Sequence, residues 1–129
     1  MPVRLRPADP SAVAQALAHR SPADDKLLTK HFLAVLAERA PGRSVEVRVP
    51  PYAAAQVIPG ARHTRGTPPA VIETDAATWI ALATGELAWV DAIAGGQIIA
   101  SGERTDLTAY LPLTTEKTKT TTTTNKNED

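Results

Sequence analysis

The densest polar cluster in the chain is Arg62-His63-Thr64-Arg65-Gly66. Two guanidiniums, an imidazole and a hydroxyl within five residues can grip a carboxylate or phosphate, arginine by paired hydrogen bonds. Gly66 lets a ligand approach the backbone closely. The same residues also suit a solvated loop whose arginines pair with Glu73, Asp75 or other surface acids. His63 raises two further chemistries. A metal site would need more ligands at a spacing such as His-x-x-x-His or among cysteines. The chain has no cysteine, and His19 and His31 fall on separate predicted helices. Acid–base work with Glu73 or Asp75 has no supporting spacing. Ser101-Gly102 lacks the flanks of a nucleophile elbow, and Gly95-Gly96 lacks the rest of a phosphate-binding loop. No catalytic residue, metal or cofactor is therefore expected, and an enzyme is not the reading these residues favour.

A second set is apolar: Phe32, Leu33, Leu36, Trp79, Ile80, Trp89 and Ile98. Singly, each suits a filled core. Together they could line an apolar pocket at a layer boundary, where small ligands commonly bind. Alanines at 76, 83, 92 and 94 leave volume that larger side chains would take, although close backbone packing would select the same residues.

The elements that must position these groups can be read from caps and periodicity. Asp9-Pro10 offers a cap and a first-turn proline for a short helix to about His19. Ser21-Pro22 starts a longer one, with Asp24 and Asp25 near its positive end. Leu28, Phe32, Val35 and Leu36, widened by Leu33, form its buried stripe, and Pro41-Gly42 ends it. Val45 to Val49 alternates as a strand, with three valines on one face. Pro50-Pro51 turns the chain into an antiparallel partner over Tyr52 to Ile58, although its alanines are poor strand formers. Pro59 to Pro69 is a polar loop, and Ala70 to Glu73 a third strand.

Thr74 or Asp75 then caps a helix whose buried face is Ala76, Trp79, Ile80 and Ala83, and which Gly85 ends. Leu87, Val90 and Ala94, with Trp89 and Ile93 beside them, continue the pattern in a second helix, stopped by Gly95-Gly96. Gln97 to Ser101 is a β-branched strand. Thr105 or Asp106 caps a last short helix carrying Leu107, Tyr110 and Leu111. Helices and strands in this order predict an α+β domain, helices covering one face of a small, mainly antiparallel sheet.

The stretch from Thr74 to Gly102 resembles the C-terminal half of the sterol carrier protein type 2 family. The resemblance rests on Asp75 before a helix, an apolar residue at Trp79, Gly85 plus Leu87, and Gly96 and Gly102 flanking a strand. The run Arg62 to Pro69 narrows it to the compact bacterial branch, which is also similar to the C-terminal domain of mycothiol-dependent maleylpyruvate isomerases. It covers residues 24–113. It implies a small sheet covered by helices with an apolar tunnel between the layers. The function implied is non-catalytic binding or carriage of a lipid-like or other amphipathic small molecule. Arg62, His63, Thr64 and Arg65 would form a polar rim, and the seven apolar residues the pocket. The isomerase likeness implies an alternative, an accessory or substrate-binding domain, although neither the metal-binding helical domain nor its metal triad is found in this sequence. A protein-interaction module with a filled core is a third.

Residues 1–23 read as an N-terminal segment with a short helix, and residues 114–129 as a disordered Thr/Lys-rich tail that cannot bury apolar surface. At 43% hydrophobic and 22% charged, the 129 residues suit one soluble domain. Lys+Arg and Asp+Glu both number 14, which leaves no global field to recruit nucleic acid or an anionic membrane. The N-terminus has no long apolar segment, so neither a signal peptide nor stable membrane insertion is expected, and the cytoplasm is the expected location.

Overall fold

A computed structural model of the chain describes residues 5–60, 70–102 and 105–114. Of the predicted tail, residues 114–129, all but Thr114 lie outside them. Local chemistry sets the helix boundaries. The Asp9 carboxylate accepts the Ser11 and Ala12 N–H groups, and α1 runs Pro10–His19 behind it to a left-handed Arg20. Ser21 and Asp24 form a reciprocal capping box at the start of α2, Pro22–Arg39. Asp75 accepts from the Thr78 N–H at 2.7 Å and opens α3, Ala76–Thr84, which Gly85 ends in the left-handed region.

The strands are β1 (Val45–Val49), β2 (Ala53–Val57), β3 (Ala70–Glu73) and β4 (Ile99–Ser101), and the short helix α4 is Trp89–Ala94. The sheet is open and mixed, with spatial order β2-β1-β3-β4. β1 pairs antiparallel with β2, and β3 antiparallel with β4, while the central β1–β3 pair is parallel. Together these elements make a small α+β domain with two antiparallel pairs out of three. A 3₁₀ turn, Thr108–Tyr110, follows.

Alternation divides the sheet into two faces. Val45, Val47 and Val49 are fully buried, and their register places Val57, Ala55 and Ala53 of β2, and Ala70 and Ile72 of β3, on the same side. The opposite side carries Glu46 and Arg48, whose side chains pair at 2.9 Å. α2 packs against α1, α3 and β2. Its buried residues are Leu28, Thr29, Phe32, Leu33, Ala34 and Leu36, whereas Val35 is only half-buried. The end of the described chain ties back across the helices. Leu113 donates its N–H to the Ala83 carbonyl at 2.7 Å, and its own carbonyl accepts from Arg39 at 3.0 Å.

Two expectations from periodicity are corrected. α4 has six residues and buries Trp89 and Ala92; Val90 and Ala94 are exposed, Val90 at 69%. One and a half turns cannot carry a full i, i+3, i+4, i+7 stripe, so contact with the core selects the pair three apart. The last strand begins at Ile99, not Gln97, and all three of its residues are exposed. Ile98, just before it, supplies the buried anchor.

Candidate functional site

Arg62, His63, Thr64 and Arg65 lie outside the described residues. The chain that carries them leaves β2 through Ile58, Pro59 and Gly60 and returns at Ala70. The seven apolar candidates are brought together. Phe32, Leu33, Leu36, Trp79, Ile80, Trp89 and Ile98 belong to one buried cluster, each at 8% exposure or less. Within it, the Trp79 Nε1–H donates to the Thr29 carbonyl at 3.3 Å, joining α3 to α2. The Thr29 hydroxyl beside that bond is buried without a hydrogen-bond partner among the described residues.

None of the seven lines a half-open groove of about 880 Å³ at the β2 edge of the sheet. One wall is the C-terminal half of α2, through Ala34, Ala37 and Glu38. The other is Ala54, Ala55 and Gln56 of β2, with Glu46 of the neighbouring strand. Leu5 closes one side, and Pro41, Gly42 and Arg43 make the corner between the walls. Ala34, Ala37 and Ala55 border it from the helix-covered side, and Ala54 from the opposite face of β2. Larger side chains at 37 and 55 would narrow it, because α2 packs on β2. The Ala53-Ala54-Ala55 run was legible as a weak strand; that its small side chains leave a groove depends on the helix opposite.

The corner is held by a close backbone crossing. The Ile58 N–H donates to the Ala40 carbonyl, and the Ile58 carbonyl accepts from the Ser44 N–H at 3.1 Å. A Cβ on Gly42 would stand 2.1 Å from that Ile58 oxygen, so only glycine fits. The corner of the groove and the end of β2 at Ile58 therefore share one anchor.

Charge in the groove is divided. Glu46 is engaged by Arg48. On the groove face of α2, one turn before Ala34, His31 accepts the Ala8 N–H at its Nδ1, 2.9 Å away. Loss of water around the ring holds the His31 pKa below its ordinary value, partly opposed by the Glu38 carboxylate. Among the described residues no three His, Cys, Asp or Glu side chains come together as a metal site. No described helix is long and apolar enough to cross a membrane.

Fold and groove thus define a small α+β domain with an amphipathic cleft beside a mixed four-strand sheet. Residues 21–113 match the family described as the bacterial SCP ortholog, and the match spans well over half of the chain. The chain belongs to this bacterial sterol carrier family. No curated protein matches it.

Proposed function

We propose that the protein is a non-catalytic binder or carrier of a lipid-like or other amphipathic small molecule. The observation that carries this reading is the α2–β2 groove, at about 880 Å³. That lies within the roughly 300–1,000 Å³ usual for small-molecule sites. Its walls mix alanine, leucine and proline with Glu38, Arg43 and Gln56, which suits a ligand with an apolar body and a polar end. Membership of the bacterial SCP family supports the same ligand class. The driving force would be removal of apolar surface from water, roughly 25 cal/mol per Å².

Arg62, His63, Thr64 and Arg65 are the proposed polar rim, since their segment leaves the sheet at the groove's corner. Phe32, Leu33, Leu36, Trp79, Ile80, Trp89 and Ile98 are the apolar surface proposed to receive a ligand tail that passes between the layers, and the unpartnered Thr29 hydroxyl would offer it a polar contact.

Native mass spectrometry of the protein purified without detergent tests the reading. The wild type should carry an amphiphile of a few hundred daltons that Ala37→Phe, which fills the groove, does not retain. A wild type with no adduct, which also takes up neither a fatty acid nor its methyl ester when these are added, would overturn the carrier reading. It would favour an accessory or protein-interaction domain.

A further inference from the structure

Residues 5–9 have no helix or strand, yet they lie along α2 rather than apart from it. Leu5 and Ala8 are partly buried, while Arg6 and Pro7 between them are exposed, so the segment presents one side to the helix. Ala8 is held by its N–H to Nδ1 of His31. Leu5 packs on the core and forms part of the groove wall. The two contacts are in register along the helix. Three extended residues from Ala8 to Leu5 span about 10 Å. Six helical residues from His31 to Ala37 rise about 9 Å. His31, Ala34 and Glu38 follow the i, i+3, i+7 spacing of one helix face, and the latter two line the groove. The segment is thus a strap running from a histidine latch to the groove.

We propose that this strap is a proton-operated gate: protonating His31 breaks its hold on Ala8 and frees Leu5 from the groove wall. The chemistry follows from the donor and acceptor roles. A backbone N–H only donates, so Nδ1 must carry a lone pair, and the neutral ring holds its proton on Nε2. The imidazolium has N–H groups at both nitrogens. Nδ1 then turns from acceptor to donor and faces the Ala8 N–H donor to donor, so the contact becomes repulsive.

Among the described residues few charged groups lie near the ring. On α2 itself they are Lys30, next in sequence, and Glu38, whose carboxylate favours the cation but is outweighed by the loss of water around the ring. The strap brings exposed Arg6, and Asp9, whose carboxylate is occupied by Ser11 and Ala12. α1 brings His19 at its far end, where its Nδ1 is paired with the Gln15 carbonyl. α3 and β2 contribute no ionisable side chain. The neutral, latched form is the ground state at neutral pH, and acid opens it.

The consequence for ligand entry rests on the groove reading above, whereas the latch itself does not. The decisive variant is His31→Asn, whose side-chain oxygen sits near the position of Nδ1, accepts the same bond and does not titrate. In amide-exchange and methyl NMR between about pH 7.5 and about pH 5, the wild-type Ala8 amide should lose protection by about tenfold, corrected for intrinsic exchange. The Leu5 methyl signals should move with the same midpoint as the His31 ring. His31→Asn should show neither change. Ala8 and Leu5 unmoved while His31 titrates would overturn the gate, as would the same transition in His31→Asn. Binding of a fatty acid methyl ester, which carries no titrating group, separates the two readings. An ester bound at neither pH, with the NMR transition intact, removes the groove reading and leaves the latch. An ester bound equally at both pH values, with no transition, removes the latch and leaves the groove.

Discussion

The Trp79 indole N–H on α3 donates to the Thr29 backbone carbonyl on α2 at 3.3 Å, inside the core. A helix carbonyl in that position already serves its own helix, so the indole gains a partner without interrupting α2. Trp79→Ala should cost about 3–5 kcal/mol in urea unfolding, the range for truncating a buried large aromatic. In a Trp89→Phe background, Trp79 emission should be blue-shifted and resistant to iodide. Ready quenching would contradict its place in the core.

Beside that contact, the Thr29 hydroxyl is buried without a partner among the described residues. Thr29→Val keeps the shape and the backbone acceptor while removing a buried polar group. It should therefore raise stability by about 1 kcal/mol. If a bound amphiphile uses that hydroxyl, the variant should also bind it more weakly; gained stability with unchanged affinity would assign Thr29 to the core alone.

Gly42→Ala should destabilise by at least about 2 kcal/mol, because a Cβ there meets backbone that cannot rotate away. Gly96→Ala is the control. Gly96 has φ +72 with nothing within 4 Å, so its cost should be conformational only, about 1 kcal/mol. Equal melting temperatures for the two variants would mean the Gly42–Ile58 crossing is not tight.

The Asp24 carboxylate is held below its usual range, first by the Ser21 backbone N–H and then by the Ser21 hydroxyl. A depressed folded pKa stabilises the protein fully above the unfolded value and is lost as pH falls through the folded one. Asp24→Ala should therefore melt below the wild type at neutral pH. The gap should close as pH falls through the range below about 4. A gap that persists in strong acid would point to helix packing rather than the cap.

Arg65→Ala should weaken binding of a fatty acid by about tenfold or more while leaving its methyl ester nearly unaffected. The removed contact would be charge-assisted, typically about 1.5–3 kcal/mol. Isothermal titration with the matched pair reads this directly. Equal losses for both ligands would return Arg65 to a structural loop.

Where one turn of chain holds the whole cause, the structure was legible beforehand. Asp9-Pro10, Ser21-Pro22 with Asp24, Asp75 and Gly85 mark helix ends because each cap bonds to backbone within three or four residues. The valines of β1 reveal their buried face because side chains alternate along a strand whatever lies beside it. The order of these signals was also enough to carry the family resemblance, and the match over residues 21–113 agrees with it.

Tertiary structure decided what depends on distant segments meeting. No residue in β1 or β3 states that the two run parallel; that follows from where the chain between them crosses. α4 buries Trp89 and Ala92, not Val90 and Ala94, because the core touches one side of a helix too short to show a period. The groove exists because α2 and β2, separate in sequence, meet through small side chains such as Ala37 and Ala55. The His31–Ala8 latch joins residues 23 apart. Capping and alternation are written in adjacent residues. Empty space and a shared proton site arise only when surfaces from separate stretches of chain come together.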